Sequence, residues 1–375
     1  MQHSLTAGAL LAAGSMSAAA FAKPRSALAA ARPVNGEKLN ILILGGTGFL
    51  GPACVDAAQA RGHTITLFNR GITEKRKGGM FPEIEKLQGD RDPKKGEGLK
   101  ALEGRQWDAV IDTSSYYPRI AKAAAELLAK NVKHYTMVSS VSAYKSNDKP
   151  TEDESGELAT MSDPTIEEMG KAFENYGALK VLCEKAAEEA LPGRVANVRP
   201  GYIVGPGDPT PRFPYWPSRI AKGGEVLTPG TPNDPMQVID VRDLGEWIIH
   251  IIENNITGVY NALGPKGGLN MKQFVDGIRK GVGGDATFTW VDADFLEKHE
   301  AQFPIWIPPK PEMIGFHTRS GEKAYAKGLK SRPIDQIAKA TLDYVNALPE
   351  DKRARLTGAV TPEKEKEVLA AFSKK

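Results

Sequence analysis

ILILGGTGFLG, Ile41 to Gly51, sets four aliphatic residues directly before a run that holds four glycines. A packed core has no use for so many glycines together, whereas a strand that ends in a tight turn beside a ligand does. The run therefore predicts a buried parallel strand, a turn and a helix. In that reading Gly45 permits the turn leaving the strand, Gly48 lets the backbone approach a pyrophosphate, and Gly51 lets the helix pack closely on the sheet. The phosphates would meet the backbone around Phe49 and Leu50, where the unpaired N–H groups and the dipole of a helix N-terminus favour negative charge.

Outward from this run, apolar strands alternate with helices. Strands are expected at Leu39–Leu44, His63–Phe68, Ala109–Asp112, Tyr135–Ser139 and Val195–Val198, and helices near Phe49–Arg61, Ile120–Lys130 and Glu168–Ala190. That alternation predicts an α/β fold, a Rossmann-type doubly wound parallel sheet with a smaller, loop-rich C-terminal substrate lobe. Residues 39–200 would form the dinucleotide-binding domain. The proline-dense stretch RPGYIVGPGDPTPRFPYWP opens the substrate lobe, 201–348, and a return segment near 236–262 rejoins the first domain. Residues 349–375 read as a charged C-terminal helix or tail, most simply a solvated amphipathic helix.

The chain has 375 residues, 41% hydrophobic and 25% charged, enough for a full core, so wholesale disorder is excluded. Its formal net charge of +3 is spread among interleaved acidic and basic residues, with no basic block of the kind that marks nucleic-acid binding. Cys54 and Cys183 lie in apolar helical contexts and read as small buried fillers. The six scattered histidines form no metal-ligand spacing, so no metal is expected. Residues 1–38 lack any acidic residue before Glu37 and are rich in Ala, Ser and Gly. They read as a leader and a possible export signal, with Ala20-Phe21-Ala22 as a small-x-small cleavage site; the Met-Gln-His start lacks the usual basic residue, which leaves a flexible leader as the other reading. The protein would be exported or periplasmic in the first case and cytoplasmic in the second, with no membrane span in its mature form.

The end of the second strand should meet the adenosine ribose. It offers Asn69 and Arg70 where an acidic residue would bind the ribose hydroxyls and repel a 2′-phosphate. NADP is thus favoured, with NAD still open, and a solvated surface charge is the other reading of Arg70. Asp90, in LQGDRD, is either an acceptor for the adenine amino group or a turn aspartate. In YGALK, Tyr176 and Lys180 stand four apart on one helical face, where an ammonium can favour the phenolate and the phenol can exchange a proton while hydride moves to or from a nicotinamide. VSSVSAY, Val138–Tyr144, ends the preceding strand, so Ser140 or Ser142 could bond the reacting oxygen. The aromatic stretches Phe213–Pro217 and Phe303–Pro309 would either wall the substrate pocket or pack the small lobe. Arg212, Arg319 and Arg332 could receive a phosphate or carboxylate, or be surface charges.

Together these residues resemble the extended short-chain dehydrogenase/reductase family of sugar-nucleotide epimerases and dehydratases, from about Leu39 to Val345. GGTGFLG looks like its phosphate loop and YGALK like its Tyr-x-x-x-Lys. VSSVSAY is similar to the segment that carries its catalytic Ser or Thr, which selects Ser140. The resemblance implies an NAD(P)-dependent enzyme acting on a secondary alcohol or ketone of a small, sugar-like substrate, with a homodimer open. Tyr176 would be the general acid/base, Lys180 would tune it and bind ribose, and Ser140 would orient the substrate oxygen. Two places depart from the pattern: Asn69-Arg70, and Asp112-Thr113-Ser114 in place of a small apolar run, where Asp112 could alter contacts to nicotinamide or substrate. The same sub-branch also resembles chloroplast stem-loop RNA-binding proteins, which makes RNA binding the rival expectation.

Overall fold

The computed structural model describes residues 36–76 and 78–375, so the export-signal reading of residues 1–35 lies outside the described residues. Six strands, β1 (Asn40–Leu44), β2 (Thr64–Asn69), β3 (Glu85–Gln88), β4 (Ala109–Asp112), β5 (His134–Val138) and β6 (Val195–Pro200), join a later one, Gly258–Ala262, in one sheet. The spatial order is Gly258–Ala262, β6, β5, β4, β1, β2, β3, and every pairing is parallel. This is a doubly wound Rossmann-type sheet whose winding reverses between β1 and β4, the place where ligands bind such sheets.

The reason lies in β1. Successive side chains of a strand point to opposite faces. Ile41 and Ile43 accordingly pack with the helices Leu50–Ala60 and Val241–Glu253, while Leu42 and Leu44 pack with Pro118–Leu128 and Tyr176–Ala190. All four are fully buried, each contributing about 1.5–3 kcal/mol. Cys54 and Cys183 are free and buried among these helices, their thiols both pushed up to about 12 by burial, which makes them inert apolar fillers.

Several expectations about the chain's course are corrected. The helix drawn from Glu168 begins only at Tyr176; the preceding residues 159–175 hold no helix or strand, being broken by Pro164, by Gly170 at φ +81° and by Phe173 at φ +61°. Val238–Asp240 pairs with Tyr202–Val204 in a small sheet of its own rather than with the large one, which the return segment rejoins through Val241–Glu253 and Gly258–Ala262. Within the span assigned to the substrate lobe, Ala324 and Leu329 instead belong to the core of the large sheet, and Lys327 accepts the Trp247 indole N–H at 3.3 Å.

The small lobe is built on a parallel pair, Glu225–Pro229 with Thr287–Val291, covered by the helices Tyr215–Ile220, Met271–Val282 and Ile334–Asn346. A capping box, Asn270 with Gln273, starts the second of these. The last residues are helical, as expected, but not wholly solvated. They form helices Glu350–Thr357 and Pro362–Phe372, and Val368 is fully buried in the small-lobe core. Glu365 accepts the Leu227 N–H at 2.9 Å and the Arg219 Nε–H at 2.6 Å.

Two buried histidines link the fold to pH. His317 accepts the Gln237 N–H on Nδ1 at 3.1 Å and donates Nε2–H to Ile305 O at 3.0 Å, so it must be neutral to keep both bonds. Burial pulls its pKa, and that of His134 on β5, down to about 4. Both folded values lie below the unfolded value of about 6.5, so the unfolded chain binds the extra protons and stability falls as pH drops from about 6.5 to 4. Each histidine accounts for up to about 3 kcal/mol of that loss. Burial pushes the Asp243 carboxyl up to about 6, which works in the opposite direction over this range, so denaturant unfolding of the parent and His317→Gln should differ by the share of that one histidine; identical pH slopes would remove His317 as a source.

Candidate active site

At the end of β1, Gly45 takes φ +92°, and a Cβ there would lie 2.5 Å from Thr113 Oγ1 on the neighbouring β4 connection. A Cβ on Gly51 would lie 2.5 Å from Gly46 C, so the helix Leu50–Ala60 starts against the loop that feeds it. A Cβ on Gly48 would meet nothing nearer than Gly45 O at 3.8 Å, which leaves that side open. Phe49 caps the helix without a side-chain bond, and no acidic residue occupies the first turn, so its leading N–H groups are left for an anion. Leu50 is buried and offers the loop its backbone. The Phe49 ring reaches across to the small lobe, 3.8 Å from where a Gly207 Cβ would stand.

A cleft of about 330 Å³ runs from Gly45 and Gly48 past Asn69, Arg70 and Asp90 to Tyr116. Asn69 ends β2 with its Nδ2 buried and without a hydrogen-bond partner, an orphaned donor on the cleft. Arg70 is exposed beside it. Asp90 accepts the Asp92 N–H at 2.9 Å, which is the turn role, while also lining the cleft.

Asp112, the last residue of β4, is fully buried and meets donors on every side. It accepts Tyr135 OH at 2.9 Å, Ser115 Oγ at 2.6 Å and the N–H groups of Ser114 and Ser115, and it pairs with Arg91. Burial alone would push its carboxyl up; the Arg91 guanidinium and these bonds outweigh it and hold the pKa below the usual carboxylate range. Enclosed in this way, Asp112 holds residues 113–116, of which Ser114 and Tyr116 line the cleft.

Lys180 is nearly inaccessible and donates to two carbonyls, Ser115 O and Val138 O, both at 2.7 Å, so it joins the ends of β4 and β5. Burial lowers its pKa. Its ammonium lies 5.4 Å from the centroid of the Tyr116 ring, and that ring lies 6.4 Å from the Tyr176 ring. Tyr176 is the first residue of its helix, and Gly177 behind it lets the helix settle on the turn after β5: a Cβ there would stand 2.0 Å from Ser142 O. Ser140 accepts the Ser142 N–H at 3.1 Å and opens that turn. Burial raises the Tyr176 phenol; the Ser140 hydroxyl beside it and the charge of Arg212 oppose the rise. Between the Lys180 ammonium and the Tyr176 ring stands the Tyr116 ring.

A model of the family described as NAD dependent epimerase/dehydratase matches residues 41–262, more than half of the chain. The chain belongs to that family. It is accordingly an enzyme of the extended short-chain dehydrogenase/reductase type, and its matched span runs from β1 to the last strand of the large sheet. The epimerase/dehydratase chain is 26% identical over 254 residues to the human epimerase family protein SDR39U1, covering 62% of this chain and 77% of the relative. The bovine protein of the same name is 24% identical over 265 residues, 65% and 81% of the two chains. Among solved structures, its fold is similar to Bordetella bronchiseptica WbmG in complex with NAD and UDP, at TM-score 0.59 and 18% identity over 84% of this chain and 96% of that one. It is also similar to UDP-glucuronic acid 4-epimerase from Bacillus cereus in complex with NAD, at TM-score 0.56 and 13% identity over 82% and 98%.

In this epimerase/dehydratase the structure brings Ser140, Tyr176 and Lys180 together beyond the carboxyl ends of β4 and β5, with Gly45, Gly48, Asn69, Arg70 and Asp90 along the adjoining cleft. The aromatic stretches do not line it. Phe213, Tyr215 and Trp216 are buried in the small-lobe core, where Trp216 packs 5.8 Å from Phe303 and 5.7 Å from Phe274. Arg319 is enclosed by Glu152, Ser146 O and Asn147, and Arg332 by Asp243 and Glu246. Arg212 differs: it bonds Thr210 Oγ1 through Nε at 2.9 Å, lies over Tyr202 at 5.3 Å, and among the described residues has no ion pair. Arg91, Tyr116 and Gly177 escape sequence reasoning. Only Gly177, next to Tyr176, carried a signal that could have marked it. Among the described residues no group of His, Cys, Asp or Glu could hold a metal, and no helix is long and apolar enough to cross a membrane.

Proposed function

We propose that this epimerase/dehydratase oxidises and re-reduces a secondary alcohol on a small, sugar-like substrate that carries an anionic group. The observation that carries this reading is the grouping of Tyr176, Ser140 and Lys180 around Tyr116, which lines one end of a cleft whose other end is a bare helix N-terminus and an orphaned Asn69 donor. These residues suit a dinucleotide: the backbone from Gly48 to Gly51 for its pyrophosphate, Asn69 and Arg70 for the adenosine ribose, Asp90 for the adenine amino group, and the third N–H of Lys180, beyond the two given to Ser115 O and Val138 O, for the nicotinamide ribose. When bound, the nicotinamide supplies the hydride acceptor and donor. Asn69 and Arg70 both donate, which favours NADP, with NAD the alternative.

Tyr176 takes the hydroxyl proton as the alcohol becomes a ketone and returns it when the ketone is reduced. To take that proton the phenol must first be ionised, which burial opposes and which the Ser140 hydroxyl and the charge of Arg212 favour. Ser140 holds the reacting oxygen beside the phenol. Arg212, which among the described residues has no ion pair and whose charge reaches the Tyr176 phenol, receives the substrate's anionic group. The similar structures named with UDP-sugars support the sugar-like class.

The test is product analysis in D₂O with a panel of nucleotide sugars and sugar acids. Epimerisation by hydride transfer should leave the inverted carbon free of deuterium, whereas inversion by proton removal would place one deuterium there and overturn the proposal.

A further inference from the structure

Residues 159–175 form a strap that leads into the Tyr176 helix and carries exposed Ile166 and Phe173. Within the strap, Asn175 donates from Nδ2 to Glu168 O at 3.1 Å and from N to Met169 O at 3.1 Å, and Tyr176 N donates to Phe173 O at 3.1 Å. The catalytic helix therefore begins where the strap delivers it. On the far side of the cleft the loop Asp90–Lys95 is held by its own turns, Asp92 N to Asp90 and Lys94 N to Asp92 Oδ1 at 3.0 Å.

One guanidinium spans the two. Arg119, in the first turn of Pro118–Leu128, gives Nε and one terminal nitrogen to Glu167 at 2.7 and 2.8 Å, and its terminal nitrogens to Asp92 at 2.7 and 3.3 Å. Its sequence neighbours Tyr117 and Ile120 line the cleft, as does Asp92. Both edges of a planar fork are thus in use, a geometry that an ammonium cannot copy. Asp92 and Glu167 also repel one another. Without Arg119 the loop and the strap would push apart.

We propose that Arg119 is a positioning residue that couples filling of the adenosine end of the cleft to closure of the 159–175 strap and so to the placement of Tyr176. The contacts run without a break from Asp92 through Arg119, Glu167 and Glu168 to Asn175 and Tyr176. A nucleotide seated against Asp90–Asp92 fixes the near carboxylate, Arg119 hands that constraint to Glu167, and the strap settles. Release of the nucleotide requires the fork to let go of at least one side. The inference rests on the dinucleotide reading of the cleft.

The experiment needs no substrate. Trypsin can cut the strap at the exposed Lys171. In the parent protein, NADPH or NADH should slow cleavage there, and displacement followed by NADPH fluorescence gives the release rate. In Arg119→Gln, bound nucleotide should no longer protect Lys171 and release should be about tenfold faster, the scale of one charge-assisted hydrogen-bonded pair. Arg119→Lys should fall between, and the melting temperature of both variants should stay near that of the parent, because the Arg119 side chain is 31% exposed and joins a loop to the strap rather than parts of the core. Equal protection in parent and Arg119→Gln, with nucleotide bound to both, would overturn the coupling and leave the dinucleotide reading standing. A parent that binds neither nucleotide would overturn both.

Discussion

Tyr176→Phe should lower turnover by about 100-fold or more, the size usual for a positioned acid/base, while folding and nucleotide binding stay intact. The substitution removes one oxygen and keeps the ring that packs 6.4 Å from Tyr116. Among the described residues its side-chain hydrogen-bond neighbour is Ser140, so no bond that holds the fold together depends on the lost oxygen. The loss should therefore appear in kcat, with melting temperature and nucleotide Kd near the parent values. Turnover close to the parent's would remove Tyr176 from the chemistry and return attention to Tyr116, the other phenol beside Lys180.

The second large effect concerns the adenosine end. Asn69→Asp should exchange an orphaned donor for an acceptor, strengthening NAD through the ribose hydroxyls and weakening NADP by about 10- to 100-fold through repulsion of the 2′-phosphate. Arg70→Ala should weaken NADP by a similar factor and leave NAD almost unchanged, because the exposed guanidinium has only the phosphate to gain from. Calorimetric titration of both nucleotides into both variants decides the matter. Equal losses of NAD and NADP would show that neither residue reads the 2′ position.

How much of this is legible in the sequence depends on the distance over which each feature is decided. The sheet is readable because β1 is buried on both faces and announces itself as an unbroken aliphatic run ending in glycines. Ser140, Tyr176 and Lys180 are readable because one strand end and one helix face bring them together. The Arg91–Asp112 pair is not, since it joins a loop to a strand end across the sheet and no local spacing records it. Phe213–Pro217 is ambiguous for another reason: a dense aromatic stretch suits a pocket wall and a core equally, and here the packing of Trp216 on Phe274 and Phe303 puts it inside. The start of the Tyr176 helix is hidden because Glu168 and Met169 are good helix formers whose preference is overridden by the backbone around Gly170 and Phe173.

The seventh strand has one more implication. Between β6 and Gly258–Ala262 the chain leaves for the small lobe and comes back, so the nucleotide-binding half is sewn together from pieces on both sides of that excursion. It is not a detachable cassette. A fragment stopped at Pro200 would carry every glycine of the phosphate loop yet leave β6 as a bare edge, its backbone donors and acceptors open to a neighbour's, and would lose the helix Val241–Glu253 that covers Ile41 and Ile43. Expressed by itself, this half would present an open sheet edge and a stripped aliphatic face, the makings of an aggregating piece rather than a working one.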